Sequence, residues 1–323
     1  MNRCIRTALM AASVLALASL QAAAQNYPNR PIRMVVPFAP GGGSDISARV
    51  LADSLGPALG TTIVVDNRPG AGSTLGTDIV SKAAPDGYTT LLGNISMAFN
   101  PALYKNLPYN TLRDFTPVSL VVEQPNIMVA HPSLPAKTLK EFIVHAQVNS
   151  GKLTYGSAGL GSGTHLAMEL LLISLKLKLI HVPYKGTGPA LTALLGNEAS
   201  VFMSTFASAL PHVKAGRLRT FGVTTLKRAS ALPDTPTIAE AGVPGFDYGT
   251  WYGLLVPAGT PRAIVDKLNK ATVAQLNTPA LQQRYNAQGL DTIPSTSAEY
   301  MAKLKSETEK WAKVVREANI QQQ

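Results

Sequence analysis

Short apolar runs alternate with segments of helical periodicity along most of this 323-residue chain. Runs rich in Val, Ile and Leu predict buried strands, and apolar residues that recur every three to four positions predict amphipathic helices. Such alternation is typical of an α/β fold with largely parallel sheets. The predicted strands cover residues 32–36, 62–65, 89–92, 153–157, 181–183, 201–203, 218–224 and 248–256. The predicted helices begin near residue 44 and then cover 74–84, 139–148, 164–175, 189–195, 262–277 and 296–318.

The longest extended run, residues 115–130, indicates where the chain crosses between two lobes. A break around Pro125 interrupts this run, and the proline- and glycine-rich passage 232–246 indicates a second crossing. Two crossings imply that the first lobe contains both the N-terminal and the C-terminal parts of the mature chain. We therefore predict a first lobe from residues 25–125 and 249–323, and a second lobe from residues 126–248.

A glycine-rich turn, residues 37–43 (PFAPGGG), joins the first predicted strand to the first predicted helix. Its three glycines let the backbone approach another molecule closely, and Ser44 and Asp45 after them are good N-cap residues. A helix N-terminus offers unpaired backbone N–H groups and about half a positive charge. A small anion is therefore the ligand that this turn favours.

A second turn of the same kind, residues 158–163 (AGLGSG), precedes the predicted helix 164–175. Two such turns in different predicted lobes suggest that both face one ligand. Asn94 and Ser96 follow the third strand, at the end of the sheet where α/β proteins bind ligands. The alternative is that glycine and serine only satisfy the geometry of ordinary connections. The aromatic residues that suit either a cleft wall or the core are Phe38, Tyr155, Tyr184, Trp251 and Tyr252.

The first 24 residues have the pattern of a cleavable signal peptide. Arg3 and Arg6 form a basic start, residues 7–20 are apolar but too short to span a bilayer, and residues 22–24 supply a small-residue cleavage pattern. The single cysteine, Cys4, leaves with this segment, so we expect no disulfide in the mature chain. We predict export to the periplasm, with an uncleaved anchor as the alternative.

The formal net charge of +10 falls to +8 when that segment is removed. The remaining basic residues are scattered and are not interleaved with aromatic residues, which argues against nucleic-acid binding. A positive field attracts organic anions, although ordinary solubilising charge explains the excess equally well. No later stretch is long and apolar enough to predict a transmembrane helix.

The sequence offers few candidates for catalysis or metal binding. His165 and Glu169 lie four residues apart on a predicted helix, but a third metal ligand is missing. A serine of the second turn with His165 and Asp45 would resemble a hydrolytic triad, yet the chain has no Gly-x-Ser-x-Gly elbow and no nucleotide fingerprint. We therefore predict no metal, no cofactor and no enzymatic activity. A secreted α/β hydrolase that uses His165 is the alternative.

A series of short motifs runs through the mature chain: residues 27–32 (YPxxPI), 36–38 (VPF), 40–42 (PGG), 65–72 (VDNRPGAG), 84–89 (APDGYT), 155–159 (YGSAG), 182–186 (VPYKG) and 232–237 (LPDxPT). In this order the motifs resemble the Bug proteins, the TctC-like substrate-binding proteins of tripartite tricarboxylate transporters. The resemblance implies a two-lobed periplasmic binding protein of type II that closes around its ligand. It also implies capture of a carboxylated small molecule and its delivery to membrane components of the transporter.

In that family, the loops that match residues 38–45 and 157–165 grip a carboxylate, partly through ordered waters. Many relatives carry aspartate where this chain has Ser204, and an aspartate there can hold an ammonium group. Serine removes that charge, so we expect a mono- or dicarboxylate, aromatic acids included, without an amino group. The predicted contact residues are Phe38, Ala39, Gly42, Gly43, Ser44, Asp45, Asn94, Ser96, Ser157, Ala158, Gly159, Gly161, Thr164, His165, Tyr184 and Ser204.

A second alternative also stays open, because a periplasmic partner of a signalling kinase would share this fold and this ligand. Only its docking partner would differ. For the receptor we expect a monomer whose partners are the small carboxylate and the membrane components of the transporter, and no nucleic acid.

Overall fold

The computed structural model describes residues 27–317 and 320, so the predicted signal segment lies outside the described residues. The described strands are β1 (Ile32–Val36), β2 (Ile63–Asn67), β3 (Thr89–Asn94), β4 (Phe115–Ala130), β5 (Thr154–Ser157), β6 (Ile180–Pro183), β7 (Val201–Thr205), β8 (Arg219–Val223), β9 (Gly249–Pro257) and β10 (Asp291–Thr292). The described helices are α1 (Gly43–Ala58), α2 (Thr74–Ser81), α3 (Ser96–Leu103), α4 (Leu139–Val148), α5 (Gly163–Leu175), α6 (Thr187–Leu195), α7 (Phe206–Lys214), α8 (Arg262–Leu276), α9 (Pro279–Asn286) and α10 (Ser297–Glu317). A short 3₁₀ turn, Ala71–Ser73, precedes α2.

Three of these helices, α3, α7 and α9, are absent from the predicted set. The first two contain a proline, Pro101 and Pro211, which in a sequence indicates a break more often than a helix. The third buries only Leu281 and Tyr285 and is polar elsewhere. Hydrophobic periodicity alone therefore does not reveal them.

The sheet is mixed, and this corrects the expectation of largely parallel pairing. Its strand order is β2-β1-β3-β9-β4-β7-β5-β6. The outer strands pair in parallel, β1 with β2 and β3, and β5 with β6 and β7. The two central strands, β4 and β9, pair antiparallel with every strand that they contact. The α/β alternation predicts the outer strands, whereas the central pair consists of β4, the first predicted crossing, and β9, which follows the second predicted crossing.

Strand β4 runs without the predicted break through both halves of the molecule. The first half contains β1, β2, β3, β9 and β10, and the second half contains β5, β6, β7 and β8. Residues 115–125 pair with β9, and residues 126–130 pair with β7 and β8. Pro125, which has no N–H to donate, stands opposite Gly249 where the partner strands change. The division of the chain into lobes at residues 125/126 and 248/249 stays a prediction.

One apolar stripe fixes α1, the helix that begins at the first glycine turn. Ala48, Leu51 and Leu55 are fully buried and pack with Ile32 and Met34 of β1 in one hydrophobic cluster. Burial of a leucine side chain stabilises a fold by about 1.5–3 kcal/mol. This packing therefore holds the start of α1 in a fixed position at the end of β1.

The C-terminal helix α10 lies along the other side of the sheet. Its buried residues, Tyr300, Leu304, Trp311 and Val315, recur at helical spacing on one face. The remaining faces are polar, as expected for an amphipathic surface helix. Among the described residues, none of the helices has both the length and the apolar character needed to cross a membrane.

Candidate functional site

A small cavity, with about 30 Å³ of space for the centres of water-sized molecules, lies between the two halves of the sheet. Its walls are formed by the two glycine turns, the end of β3, the starts of α6 and α7, and the central strand β9. The lining residues are Phe38, Gly42, Gly43, Ser44, Asn94, Ile95, Ala158, Ser162, Gly163, Thr164, Thr187, Thr205, Thr250 and Tyr252.

Five helices begin at this cavity, namely α1, α3, α5, α6 and α7. Each start contributes the positive end of a helix dipole and N–H groups that have no acceptor within the helix. Side chains already accept from three of these groups, Ser96 N, His165 N and Ala207 N. The lining residues include no Asp, Glu, Lys, Arg or His. The cavity is therefore suited to an anion through backbone N–H groups and hydroxyls, without a cationic side chain.

The first glycine turn is capped differently from the prediction. Helix α1 begins at Gly43, and Gly42 is its N-cap without a side-chain hydrogen bond. Ser44 and Asp45 therefore lie in the first turn of the helix rather than at the cap. The Asp45 carboxylate accepts a hydrogen bond from Gly41 N (3.0 Å) and forms an ion pair with Arg49 (2.9 Å). Asp45 thus closes the turn and does not line the cavity, whereas Ser44 does.

The second glycine turn is held by its own side chains. Ala158 N donates to Thr164 Oγ1 (2.8 Å), Gly159 N donates to Ser157 Oγ (3.1 Å), and Gly161 N donates to His165 Nδ1 (3.4 Å). These N–H groups of the turn are therefore used within the protein. The structure instead leaves the start of α5 itself, at Gly163 and Thr164, in the wall of the cavity.

The conformation of this turn requires glycine at two positions. Gly159 has φ of 122° and Gly161 has φ of 72°, in the region that L-residues rarely adopt. Ser162 is the N-cap of α5, and its Oγ accepts from His165 N (3.3 Å). Ser157, Gly159, Gly161 and His165 therefore shape the turn, and none of them lines the cavity.

A stack of three aromatic rings, two buried and one half-buried, lies behind the second turn. His165 and His181 are stacked with ring centroids 4.3 Å apart, and Tyr155 stacks on His181 at 4.8 Å. Burial lowers the pKa of His165 to about 3 and that of His181 to about 4. Both rings are therefore neutral near pH 7, which agrees with Nδ1 of His165 accepting a hydrogen bond.

In this arrangement, neither the triad of Ser157, His165 and Asp45 nor the pair of His165 and Glu169 considered in the sequence is formed. Ser157 Oγ is paired with His181 Nε2 (2.6 Å) rather than with His165, and Asp45 is paired with Arg49. Glu169, the suggested metal partner of His165, accepts a hydrogen bond from the Tyr155 hydroxyl. Within residues 27–317 and 320, no group of three or more His, Cys, Asp or Glu side chains could hold a metal ion.

The remaining predicted contacts divide between the cavity and its surroundings. Phe38, Gly42, Gly43, Ala158 and Asn94 line the cavity. The Asn94 Oδ1 accepts from Ser96 N (2.8 Å), and within the described part of the chain its buried Nδ2 has no partner. This Nδ2 is thus a donor at the cavity wall.

Ala39, Tyr184, Ser204 and Ser96 do not line the cavity. Ala39 N donates to Lys185 O (3.2 Å), a contact between the two halves. Tyr184 packs against an apolar cluster of the second half. Ser204 is fully buried, and its hydroxyl donates to Thr205 O (3.0 Å). The binding roles of all sixteen residues stay predictions.

Seven lining residues are missing from the predicted contacts: Ile95, Ser162, Gly163, Thr187, Thr205, Thr250 and Tyr252. Ser162, Thr187 and Thr205 stand at helix starts, where a preference for capping hydroxyls could have indicated them. Tyr252 is among the aromatic residues that suit a cleft wall, and Phe38 is the other one that lines the cavity. Thr250 and Tyr252 lie on β9, whose pairing across the sheet no local pattern reveals.

The profile of the family described as "Tripartite tricarboxylate transporter family receptor" (TctC) matches residues 47–320. The chain belongs to this family. The protein BugT of Bordetella pertussis (strain Tohama I) is 36% identical over 296 residues, which are 91% of this chain and 91% of BugT. The resemblance inferred from the motifs is thereby confirmed.

Solved structures of the family share the fold of this receptor. The structure of the periplasmic binding protein BugD matches with a TM-score of 0.90 at 38% identity. The match covers 92% of this chain and 100% of the BugD chain. The structure of R. palustris Rpa4515 with adipate matches with a TM-score of 0.89 at 32% identity, over 92% of this chain and 100% of the Rpa4515 chain. MatC (Rpa3494) from Rhodopseudomonas palustris with bound malate has a TM-score of 0.86 at 34% identity, covering 90% and 100%. The periplasmic binding protein fold predicted from the sequence is therefore confirmed, and the receptor is a solute-binding protein.

Proposed function

We propose that this receptor binds a small carboxylate without an amino group and delivers it to the membrane components of a tripartite tricarboxylate transporter. The observation that carries the proposal is the cavity where five helices begin and no charged side chain is exposed. A carboxylate there accepts hydrogen bonds from backbone N–H groups and hydroxyls in a site of low dielectric, where such charge-assisted bonds are strong.

The lack of an acidic side chain in the lining supports a ligand without an ammonium group. A buried ammonium needs a carboxylate partner, because an unpaired buried charge is costly. Ser204 and its neighbour Thr205 supply only hydroxyls in this region. Two relatives were solved with adipate and with malate, which are dicarboxylates that carry no amino group. We therefore favour a mono- or dicarboxylate, aromatic acids included, as the ligand.

Contacts between the two halves support a mechanism in which they close around the ligand. Besides the Ala39 N–Lys185 O hydrogen bond, the Tyr104 hydroxyl lies 3.0 Å from both Ala71 O and Leu160 O. These contacts bring the 3₁₀ turn before α2 against the second glycine turn. Closure removes water from the carboxylate and lets donors from both halves reach it at once.

Export to the periplasm through cleavage after residue 24 and a monomeric state are part of the same proposal. The family assignment supports the location, since the solved relative BugD is a periplasmic binding protein. Delivery to membrane components is supported by the description of the family.

A thermal-shift screen of the mature protein tests this proposal. The panel contains straight-chain mono- and dicarboxylates, aromatic acids, and amino acids. We expect one class of carboxylate to raise the melting temperature, because a ligand that binds only the native state stabilises it by mass action. A larger rise with amino acids than with the matching carboxylates would contradict the proposal. Recovery of the stabilising compound unchanged after incubation would distinguish a receptor from a hydrolase.

A further inference from the structure

The floor of the cavity presents two hydroxyl groups that belong to neither glycine turn. Thr250 and Tyr252 lie two positions apart on β9, so their side chains point to the same face of the strand. Both are buried, and both line the cavity. A Cβ atom built on Gly43 would lie 2.5 Å from Tyr252 Oη, and one built on Gly163 would lie 3.9 Å from Thr250 Oγ1. Tyr252 is thus beside the start of α1, and Thr250 is beside the start of α5.

The hydrogen bonds around Tyr252 determine the direction in which its hydroxyl donates. Ala207 N donates to Gln124 Oε1 (2.9 Å), which orients the Gln124 amide. The Gln124 Nε2 then donates to Tyr252 Oη (2.7 Å). Because the tyrosine oxygen is the acceptor in this bond, its own hydrogen is left for another acceptor. The Ser44 hydroxyl, which also lines the cavity, interacts with Tyr252 as well, so this hydrogen can be donated to Ser44 Oγ or to a ligand in the cavity.

The Thr250 hydroxyl, in contrast, is a donor within the protein. Its Oγ1 donates to Asn126 Oδ1 (2.7 Å), so the hydrogen of this hydroxyl is already used. Only oxygen lone pairs are left on the cavity side. Of the two hydroxyls on β9, Tyr252 is therefore the one that can donate to an anion.

The protonation state of Tyr252 agrees with a donor role. Burial raises the pKa of its hydroxyl far above the ordinary value of 10. The group therefore keeps its hydrogen throughout the neutral range. A buried neutral donor close to the positive end of α1 adds to the attraction for a carboxylate at that place.

We propose that Tyr252 binds the ligand directly by donating its phenolic hydrogen to the carboxylate held at the start of α1, and that Gln124 positions this hydroxyl. The inference rests on the proposed function, because it assigns a further contact to the same site. It places one ligand contact on a central strand of the sheet. The same strand pairs with β4, which joins the two halves of the molecule.

The direct test replaces Tyr252 with phenylalanine and measures Kd by isothermal titration calorimetry with the straight-chain dicarboxylates from succinate to adipate. Loss of a hydrogen bond to a charged acceptor weakens binding by roughly 10- to 100-fold. We expect a change of that size in Tyr252→Phe. The matched control is Tyr285→Phe, since the buried Tyr285 hydroxyl donates to Ser47 O (3.0 Å) outside the cavity. The control should change Kd by less than about threefold.

A double-mutant cycle separates positioning from general stability. Gln124→Leu alone should weaken binding by roughly 3- to 10-fold, since the hydroxyl remains but loses the bond that orients it. In the Tyr252→Phe background the same change should leave Kd unaltered, because the group that it positions is gone. A merely structural role for Gln124 would weaken binding equally in both backgrounds.

The outcomes distinguish this inference from the proposed function. If the wild-type receptor binds one of the dicarboxylates and Tyr252→Phe binds it with the same Kd, the inference is overturned and the proposed function stands. If the wild-type receptor binds none of the series or of the wider carboxylate panel, the proposed function fails and the inference fails with it. Should Tyr252→Phe not fold, an unchanged Kd in Gln124→Leu would overturn the inference instead.

Discussion

The two glycine turns resemble each other in sequence, but the structure holds them in different ways. In the first turn, Gly42 caps α1 without a side-chain bond, and Asp45 accepts from Gly41 N of the turn while it also pairs with Arg49. In the second turn, Ser162 caps α5 with its side chain, and three N–H groups of the turn donate to Ser157, Thr164 and His165. The first turn is therefore fixed mainly by contacts with the rest of the molecule, and the second mainly by its own side chains.

This difference indicates how each turn presents its helix to a ligand. Gly43, the first residue of α1, fits against Gln124 and Tyr252 of the central strands with no space for a side chain. Gly163, the first residue of α5, lies in a looser environment near Tyr248 and Ile95. We expect substitutions at the first turn to affect binding most, and substitutions at the second turn to affect stability as well.

The largest effect is expected from Gly43→Ala. A Cβ atom there would lie 2.4 Å from Gln124 Nε2 and 2.5 Å from Tyr252 Oη, so the hydrogen-bonded pair must move. Such overpacking costs about 1–3 kcal/mol. If this cost destabilises the ligand-bound state, affinity falls by up to roughly 100-fold. Titration calorimetry with the preferred carboxylate measures it. An unchanged Kd would show that α1 does not present its start to the ligand.

A smaller effect is expected from Gly163→Ala. The nearest atoms to the new Cβ would be Tyr248 Oη at 3.0 Å and Ile95 Cγ2 at 3.2 Å, which small shifts can accommodate. We expect affinity to fall by roughly 10-fold. The matched control is Gly196→Ala at the end of α6, where the nearest atom is 3.5 Å away. A greater loss of affinity in Gly163→Ala than in Gly43→Ala would contradict the expectation that the first turn contributes more to binding.

Ser157→Ala should affect stability more than binding. The change removes the partner of the half-buried His181 Nε2 and the acceptor for Gly159 N, and it leaves the latter buried without a partner. An unsatisfied buried polar group costs about 1–3 kcal/mol, so the urea midpoint should fall. Affinity should change only a few-fold, because Ser157 does not line the cavity. A large loss of affinity at unchanged stability would mean that Ser157 contacts the ligand.

The last predicted effect is a pH dependence of the free energy of unfolding that arises from the stacked histidines behind the second glycine turn. The pKa of His181 is lowered to about 4 in the folded protein, against an ordinary value of 6.5, so between these values the unfolded chain binds a proton that the folded chain does not. The stabilising contribution is therefore complete above pH 6.5 and declines as the pH falls towards 4. Urea midpoints measured between pH 7 and pH 4.5 should decline less in His181→Gln than in the wild type. Identical slopes would contradict this account of the ring stack.

Local patterns predict much of this fold. Both glycine turns, the strands before them and the helices after them are where the periodicity indicates, because turn chemistry and apolar spacing are local properties. The first lining residues, Gly42, Gly43 and Ser44, follow from the same reasoning.

The rest of the site depends on contacts between distant parts of the chain. Thr187 and Thr250 line the cavity because α6 and β9 come together across the sheet, and no short window of sequence contains that information. His165 has the appearance of a ligand-binding residue in the sequence, but it is directed to the N–H of Gly161 and to the ring of His181. The use of turn N–H groups by neighbouring side chains likewise becomes visible only in three dimensions.

The most direct measurement of the central claim compares matched ligands that differ by one amino group. Titration calorimetry of the mature protein measures Kd for succinate and aspartate, and for glutarate and glutamate. Within each pair the carbon skeleton is the same and only the amino group differs. We predict that the plain dicarboxylate of the better-bound pair binds at least about 10-fold more tightly, because the cavity offers helix starts to a carboxylate and no carboxylate to an ammonium group. Tighter binding of the amino acid in both pairs would contradict the account.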